Sequence, residues 1–426
     1  MKPVLEILSV VTALSVLLTA CGAATPSSSV ARSSLNRVQD PAVPQDDVAT
    51  LVQGDNAFAL DLYQSLRSED GNLAFSPYSI SLALGMAYAG ARGSTETQMA
   101  QALHYTLPQD RLHPAFNRLD QDLMEEAKPA SDNEQPLQLK IANAVWAEQT
   151  YSFVQAYLDL IARNYGAGVQ LADFVQNYEA VRQEINDWVS KQTNDKIKDL
   201  IPQGALDKMT RMVLVNAIYF KADWLDQFDP NDTKDQPFHL LDGSQVTSKM
   251  MTNTISVPCA TGDGLQAVEL PYVGETAVMD IIVPDEGHFK DVEAGLDAQK
   301  FDSIINALQS TQLQVGLPKF SYRSSFSLSS SLSAMGMPAA FDGNQADFSG
   351  MTGNRDLYIS EVLHQAFVAV DEKGTEAAAA TAVIMRATAA MEPPKQLTVD
   401  RPFIYVIRDL QSGQILFVGR VLDPTR

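Results

Sequence analysis

Only two cysteines, Cys21 and Cys259, occur in 426 residues, which excludes a disulfide framework. A lone thiol becomes a nucleophile beside a basic partner, and Val257-Pro258-Cys259-Ala260 supplies none, so Cys259 reads as a half-buried structural residue. Cations are scarce too: 31 Lys and Arg against 52 Asp and Glu leave a net charge of −21. That disfavours a nucleic-acid partner and an electrostatic membrane patch, because both need clustered positive charge. The surplus acid reads as a solubilising surface. Catalytic signatures are missing as well. There is no Gly-x-Ser-x-Gly elbow, no His-Glu-x-x-His pair and no Gly-rich phosphate loop. The five histidines, His104, His113, His239, His288 and His364, lack metal-ligand spacing. An enzyme is therefore the weaker reading, and no metal or cofactor is implied.

No internal repeat and no linker beyond residue 60 divides the chain, so one large domain is expected. The N-terminus carries a local signal. Residues 7–18 are apolar but short for a membrane span, and they run into Leu18-Thr19-Ala20-Cys21. This pattern reads as a signal peptide over 1–20 whose end resembles a bacterial lipobox, with Cys21 lipidated. The alternative is an ordinary secretory peptide cleaved near Ala20 or Ala24, which leaves the protein free outside the cell. Residues 21–47 are rich in Ala, Ser, Pro, Gln and Asp and read as a flexible tether, with the folded domain spanning 48–426.

Phe58, Leu62 and Leu66 fall at helical spacing, and a Leu-, Ala- and Met-rich helix is expected after Pro77. Residues 137–148 alternate as a strand, while Val181, Ile185, Trp188, Val189 and Gln192 share one helical stripe. The apolar run 212–220 suggests a strand buried on both faces. Further strands are expected at 277–283, 313–317, 357–370, 403–408 and 415–421, the last two forming a hairpin. Helices dominate the first half and strands the second, which is an α+β pattern.

Two polar residues interrupt apolar strands. Asn216 sits inside Leu214-Val215-Asn216-Ala217-Ile218, and His364 shares a strand face with Val362, Ala366, Val368 and Val370. Each needs a partner if buried, and a satisfied core histidine is the favoured reading of His364. The segment Asp371-Glu372-Lys373-Gly374-Thr375-Glu376-Ala377-Ala378-Ala379-Ala380-Thr381-Ala382-Val383 is the most unusual. Propensity says helix, yet a strand precedes it and Pro393-Pro394 follows, and such conflicts mark functional or strained sites.

That segment resembles the hinge of a serpin reactive-centre loop. Asn72-Leu73-Ala74-Phe75-Ser76-Pro77-Tyr78-Ser79-Ile80, Trp188-Val189 with Thr193 and Ile197, and 214–220 through Trp224 resemble serpin segments in family order. So do Leu317-Pro318-Lys319-Phe320, 346–351 and Asp400-Arg401-Pro402-Phe403. The resemblance implies a serpin fold with three β-sheets, eight or nine helices and an exposed reactive-centre loop at about 372–398. It implies a monomeric inhibitor that forms a 1:1 covalent complex with a serine protease, touching a membrane only through its N-terminal lipid. After cleavage the hinge residues Glu372, Gly374, Thr375, Ala377, Ala378, Ala379, Ala380 and Thr381 would enter the main sheet as a strand.

On insertion, Thr375, Ala377, Ala379, Thr381 and Val383 would face one way and Glu376 the other, so the buried set is small and uncharged. The resemblance assigns Ser76, Ser79, Asn216 and His364 to a cluster beneath the opening strands. It sets Trp224 and the Lys319–Glu372 pair where the loop first enters. The severed bond is expected at Thr388–Ala389, with Ala390 or Met391 as alternatives, and small side chains there suggest elastase-like or subtilisin-like targets. A non-inhibitory serpin acting as a binding or chaperone module is the competing reading.

Overall fold

Nine consecutive buried residues open the strand Met212–Asp223, so both of its faces must be covered, and the molecule is arranged around it. The computed structural model of the chain describes residues 28–128, 137–375 and 394–426. In chain order the strands are β1 (Ser29–Ala31), β2 (Leu73–Phe75), β3 (Gln138–Glu148), β4 (Val169–Ala172), β5 (Met212–Asp223), β6 (Lys234–His239), β7 (Gln245–Gly262) and β8 (Leu265–Pro271). They continue as β9 (Ala277–Pro284), β10 (Gln309–Pro318), β11 (Phe320–Ser327), β12 (Glu361–Val370), β13 (Gly374–Thr375), β14 (Lys395–Thr398), β15 (Phe403–Asp409) and β16 (Ile415–Val421). The helices are α1 (Gln45–Leu66), α2 (Pro77–Tyr88), α3 (Gly93–Ala102), α4 (Gln109–Glu126) and α5 (Gln155–Tyr165). After them come α6 (Phe174–Gln192), α7 (Phe289–Ala294), α8 (Ala298–Ala307), α9 (Ser329–Ala334) and α10 (Ser349–Thr352).

The first sheet runs β1-β4-β3-β5-β13-β12-β11, and the second runs β14-β10-β7-β8-β9-β15-β16-β2 with β6 beside β7. Helix α2 packs beneath the centre of the first sheet with all twelve residues buried. It starts where Ser76 Oγ accepts the Ser79 N–H at 3.3 Å and Pro77 takes the first helical position, where a missing donor does no harm. On the opposite face of that sheet, α6 buries Val181, Ile185 and Val189 over Trp146 and Val213.

The α+β architecture matches the expectation, with two differences of detail among the described residues. The strands form two hydrogen-bonded sheets rather than three, because β7, 18 residues long, carries its pairing continuously from β6 and β10 to β8. Ten α-helices are present rather than eight or nine, but α10 is a single turn of four residues. Strands β7, β8 and β11 were not among the expected strands. Their polar residues point outward at alternating positions, as in β11, and mask the apolar face.

The expectation of a flexible tether over 21–47 needs correction for residues 28–47. Strand β1 pairs with β4 at the sheet edge, Val38 N–H donates to Arg163 O at 2.9 Å, and α1 already begins at Gln45. This segment has little apolar surface to bury, so its composition reads as unfolded. It docks through hydrogen bonds and ion pairs instead. Residues 1–27, with Cys21, lie outside the described residues.

Candidate functional site

At one end of the first sheet the centre is wedged open. Strands β5 and β12 pair directly and in parallel from Glu361↔Val213 to Phe367↔Tyr219. Above that, β13 stands between them, with Gly374 opposite Asp223, Thr375 opposite Ala222, and Thr375 also opposite Val370. Gly374 is required here by close approach: a Cβ would lie 2.0 Å from Ala222 O and 2.6 Å from Asp223 Cα. Thr375 is fully buried and its hydroxyl sits 2.8 Å from Tyr272 OH.

The turn leading into β13 is fastened on every side. Trp224 stacks on Tyr272 with ring centroids 4.6 Å apart, and its indole N–H donates to Asp371 O at 3.0 Å. The backbone N–H groups of Trp224 and Phe228 donate to Lys373 O and Glu372 O at 2.6 and 2.8 Å. Glu372 accepts from Lys319 Nζ at 2.6 Å and from Thr233 Oγ1 at 2.8 Å. Burial works against ionisation of Glu372, but the Lys319 ammonium and the hydrogen bonds outweigh it and hold its carboxyl below the usual range. Trp224, Lys319 and Glu372 are thus brought together. Thr233 and Tyr272 complete the arrangement and were missed, since neither sits in an unusual local sequence.

Midway down the same seam lies a buried polar cluster. His364 and Asn216 are register partners on β12 and β5, and their side chains hydrogen-bond across the seam. His364 Nε2 accepts the Ser76 N–H at 3.2 Å, so the ring proton lies on Nδ1 and is donated to Asn216 Oδ1. Asn216 Nδ2 donates to Ser79 Oγ at 2.5 Å and to Asn143 Oδ1, and Asn143 Nδ2 donates to Ser79 O at 3.0 Å. Complete burial pushes the His364 pKa down to about 3, which keeps the ring neutral. Ser76, Ser79, Asn216 and His364 therefore meet as one cluster. Asn143 is a fifth member the sequence reading missed, although it interrupts Ile141-Ala142-Asn143-Ala144-Val145 as Asn216 interrupts its own strand.

Residues 376–393 join β13 in the first sheet to β14 in the second and lie outside the described residues, with Ala377, Ala378, Ala379, Ala380, Thr381, Thr388, Ala389, Ala390 and Met391 among them. Cys259 is half-buried in β7, and burial raises its thiol pKa although Lys395 opposes this, so it is not an activated thiolate. Among the described residues no group of three or more His, Cys, Asp or Glu side chains could hold a metal ion. No described helix is long and apolar enough to cross a membrane.

Comparison with known proteins gives a consistent result. The family described as Serpin (serine protease inhibitor) matches residues 53–424. An uncharacterised serpin-like protein of Thermococcus kodakarensis is 40% identical over 376 residues, covering 88% of this chain and 86% of its own. Human leukocyte elastase inhibitor is 37% identical over 385 residues, covering 88% of this chain and 99% of its own. Among solved structures, the native state of the thermophilic serpin Tengpin superposes with a TM-score of 0.82 at 27% identity, covering 92% of this chain and 99% of that one.

Proposed function

The chain belongs to the serpin family, and from that premise we propose that it is a suicide inhibitor of serine proteases, elastase-like or subtilisin-like by preference. The observation that carries this reading is β13: two residues of the hinge already stand between β5 and β12. In the proposed reaction the protease serine attacks the carbonyl of Thr388, or of a neighbour up to Met391. The amine of the next residue leaves, and an ester joins the two proteins. The freed strand then extends β13 downward, separating the seven β5–β12 pairs. One ladder is replaced by two, so the net gain is about ten hydrogen bonds at about 1 kcal/mol each.

The register of β13 sets where each residue lands. Thr381 comes opposite Asn216, on the same face as Thr375, and its hydroxyl can take a hydrogen bond there when His364 is drawn away. Glu376 falls on the opposite face, so no charge enters the core side. Two neutral amide and imidazole groups cross the seam instead of an ion pair, and they exchange partners at modest cost.

Incubation with elastase, chymotrypsin, trypsin and subtilisin followed by denaturing electrophoresis tests the reading. A complex that survives detergent is expected with elastase or subtilisin. Clean cleavage by all four, with no complex, supports the non-inhibitory binding or chaperone alternative. Loop-cleaved protein should also melt about 12 °C above intact protein, given a gain of about 10 kcal/mol; equal melting points reject insertion. Export and lipidation of Cys21 complete the proposal, and Cys21→Ser should release the protein from bacterial membranes.

A further inference from the structure

The strand that the proposed insertion creates and the N-terminal segment finish at the same end of the first sheet. Continuing the β13 register down β5 brings Met385 level with Met212. Across the sheet, Met212 pairs with Ala147, Ala147 with Leu171, and Leu171 with Ser29. Ser29 and Met385 therefore stand at one height, four strands apart, which at 4.7–4.9 Å per step is about 19 Å. Strand β1 also runs upward from that end, so Ser28, the first described residue, lies there. The other end, where β13 stands between β5 and β12, lies ten residues away, about 33 Å.

An N-terminal lipid holds this lower end toward the membrane. From Cys21 to Ser28 the chain spans at most about 25 Å at 3.3–3.6 Å per residue. A protease domain of about 230 residues has a radius of gyration of about 17 Å, hence a diameter of about 45 Å. The acylated protease is carried to that lower end and does not fit into the gap while the segment stays docked.

The docked segment is built to let go. Of residues 28–43 only Ser33 and Pro41 are buried, whereas α1 just after it buries Leu51, Val52 and Phe58. Its attachments are polar, some at the surface and some to Asn117 and Asp120, which it helps to cover. Ser33 Oγ donates to Asp159 at 2.5 Å, Arg37 pairs with Asp120 at 2.7 Å, and Asp40 pairs with Arg118 at 2.6 Å. Asn117 and Gln121 each donate to Val38 O at 2.9 Å. With almost no apolar burial to hold it, the segment is a region of low local stability, and once it lifts water can reach these partners. Releasing residues 28–43 lengthens the leash by about 55 Å, enough for the protease.

We propose that residues 28–43 are a releasable strap. Docked, it holds an anchored molecule close to the membrane with the reactive loop outward; peeled, it makes room for the trapped protease on the membrane side. This rests on the proposed loop insertion and on an N-terminal anchor, which the experiment supplies artificially. A hexahistidine run replaces residues 22–27 in Cys21→Ser, Cys259→Ser protein bound to nickel-chelating phosphatidylcholine vesicles. Val30→Cys with Gln170→Cys staples β1 to β4, whose register partners lie within the Cα range a disulfide spans.

The readout is moles of inhibitor consumed per mole of elastase trapped. The expected result is at least a threefold rise for the oxidised staple on vesicles, with oxidised protein in solution, reduced protein on vesicles and reduced protein in solution all alike. Inserting about 20 Gly and Ser residues before Ser28 should restore the stapled protein on vesicles to the value in solution. Equal stoichiometry for oxidised and reduced protein on vesicles overturns the strap. A protein that traps no protease in any arm, vesicles or not, overturns the proposed inhibition and the strap with it. A rise of equal size in solution shows that the staple damages the fold and also counts against the proposal, as does failure of the longer leash to rescue.

Discussion

Two buried strand pairs in this molecule look alike in composition and differ in construction. Strands β15 and β16 are fully buried, antiparallel and joined by a short turn, so their pairing closes a small loop and no polar cluster crosses between them. Strands β5 and β12 are as buried at the seam, but they pair in parallel across roughly 150 residues of chain, carry the His364–Asn216 bridge and are wedged apart at one end by Gly374 and Thr375. The first pair is a fixed floor. The second is a joint whose partners can be exchanged, and local burial alone does not distinguish the two.

Charge at the joint should separate them most sharply. Ala377→Arg adds a cation to the face that must enter the core, and an unpaired buried charge costs several kcal/mol. Detergent-stable complex should fall more than tenfold while cleavage persists, with the melting point of intact protein unchanged. Next, Gly374→Ala drives a Cβ into Ala222 O and should expel β13 from the seam. Hydrogen exchange at the Thr375 amide should rise at least tenfold, and stability should drop by about 2 kcal/mol.

The cluster gives a pH signature of its own. His364 has a pKa pushed down to about 3 by burial, against about 6.5 in the unfolded chain. Between those values the unfolded chain binds a proton that the folded one does not. The neutral-ring contribution is therefore complete above pH 6.5 and is lost as the pH falls toward 3. His364→Gln should remove up to one proton from the pH dependence, about 1.4 kcal/mol per pH unit in that window. Denaturant titrations at pH 7 and pH 5 for both proteins measure it. The smallest effect is expected for Lys319→Met, which strips Glu372 of its ammonium partner at the half-exposed margin of the joint. A loss of about 1 kcal/mol, shrinking at high salt, is expected from thermal melts.

Much of the joint was legible before the fold was. The apolar run of β5 announced a strand covered on both faces, and Asn216 and His364 were conspicuous because a buried polar group needs a reason. Asn143 carried the same signal more weakly, since the exposed Lys140 shares its strand. What sequence could not supply was pairing. The hinge reads as helix by propensity, and only the neighbours of Gly374 explain why it is a two-residue strand. Residues 28–43 read as a tether for the same reason, because edge hydrogen bonds and ion pairs leave no hydrophobic pattern behind.

The chain's three tryptophans divide unevenly. Trp146 and Trp188 meet edge to face, 6.3 Å apart, on the α6 side of the first sheet. Trp224 alone lies flat against Tyr272 with its indole N–H held by Asp371 O. The molecule thus carries an intrinsic fluorophore beside the gap. In a Trp146→Phe, Trp188→Phe background, stopped-flow emission could time the arrival of the new strand without any attached dye.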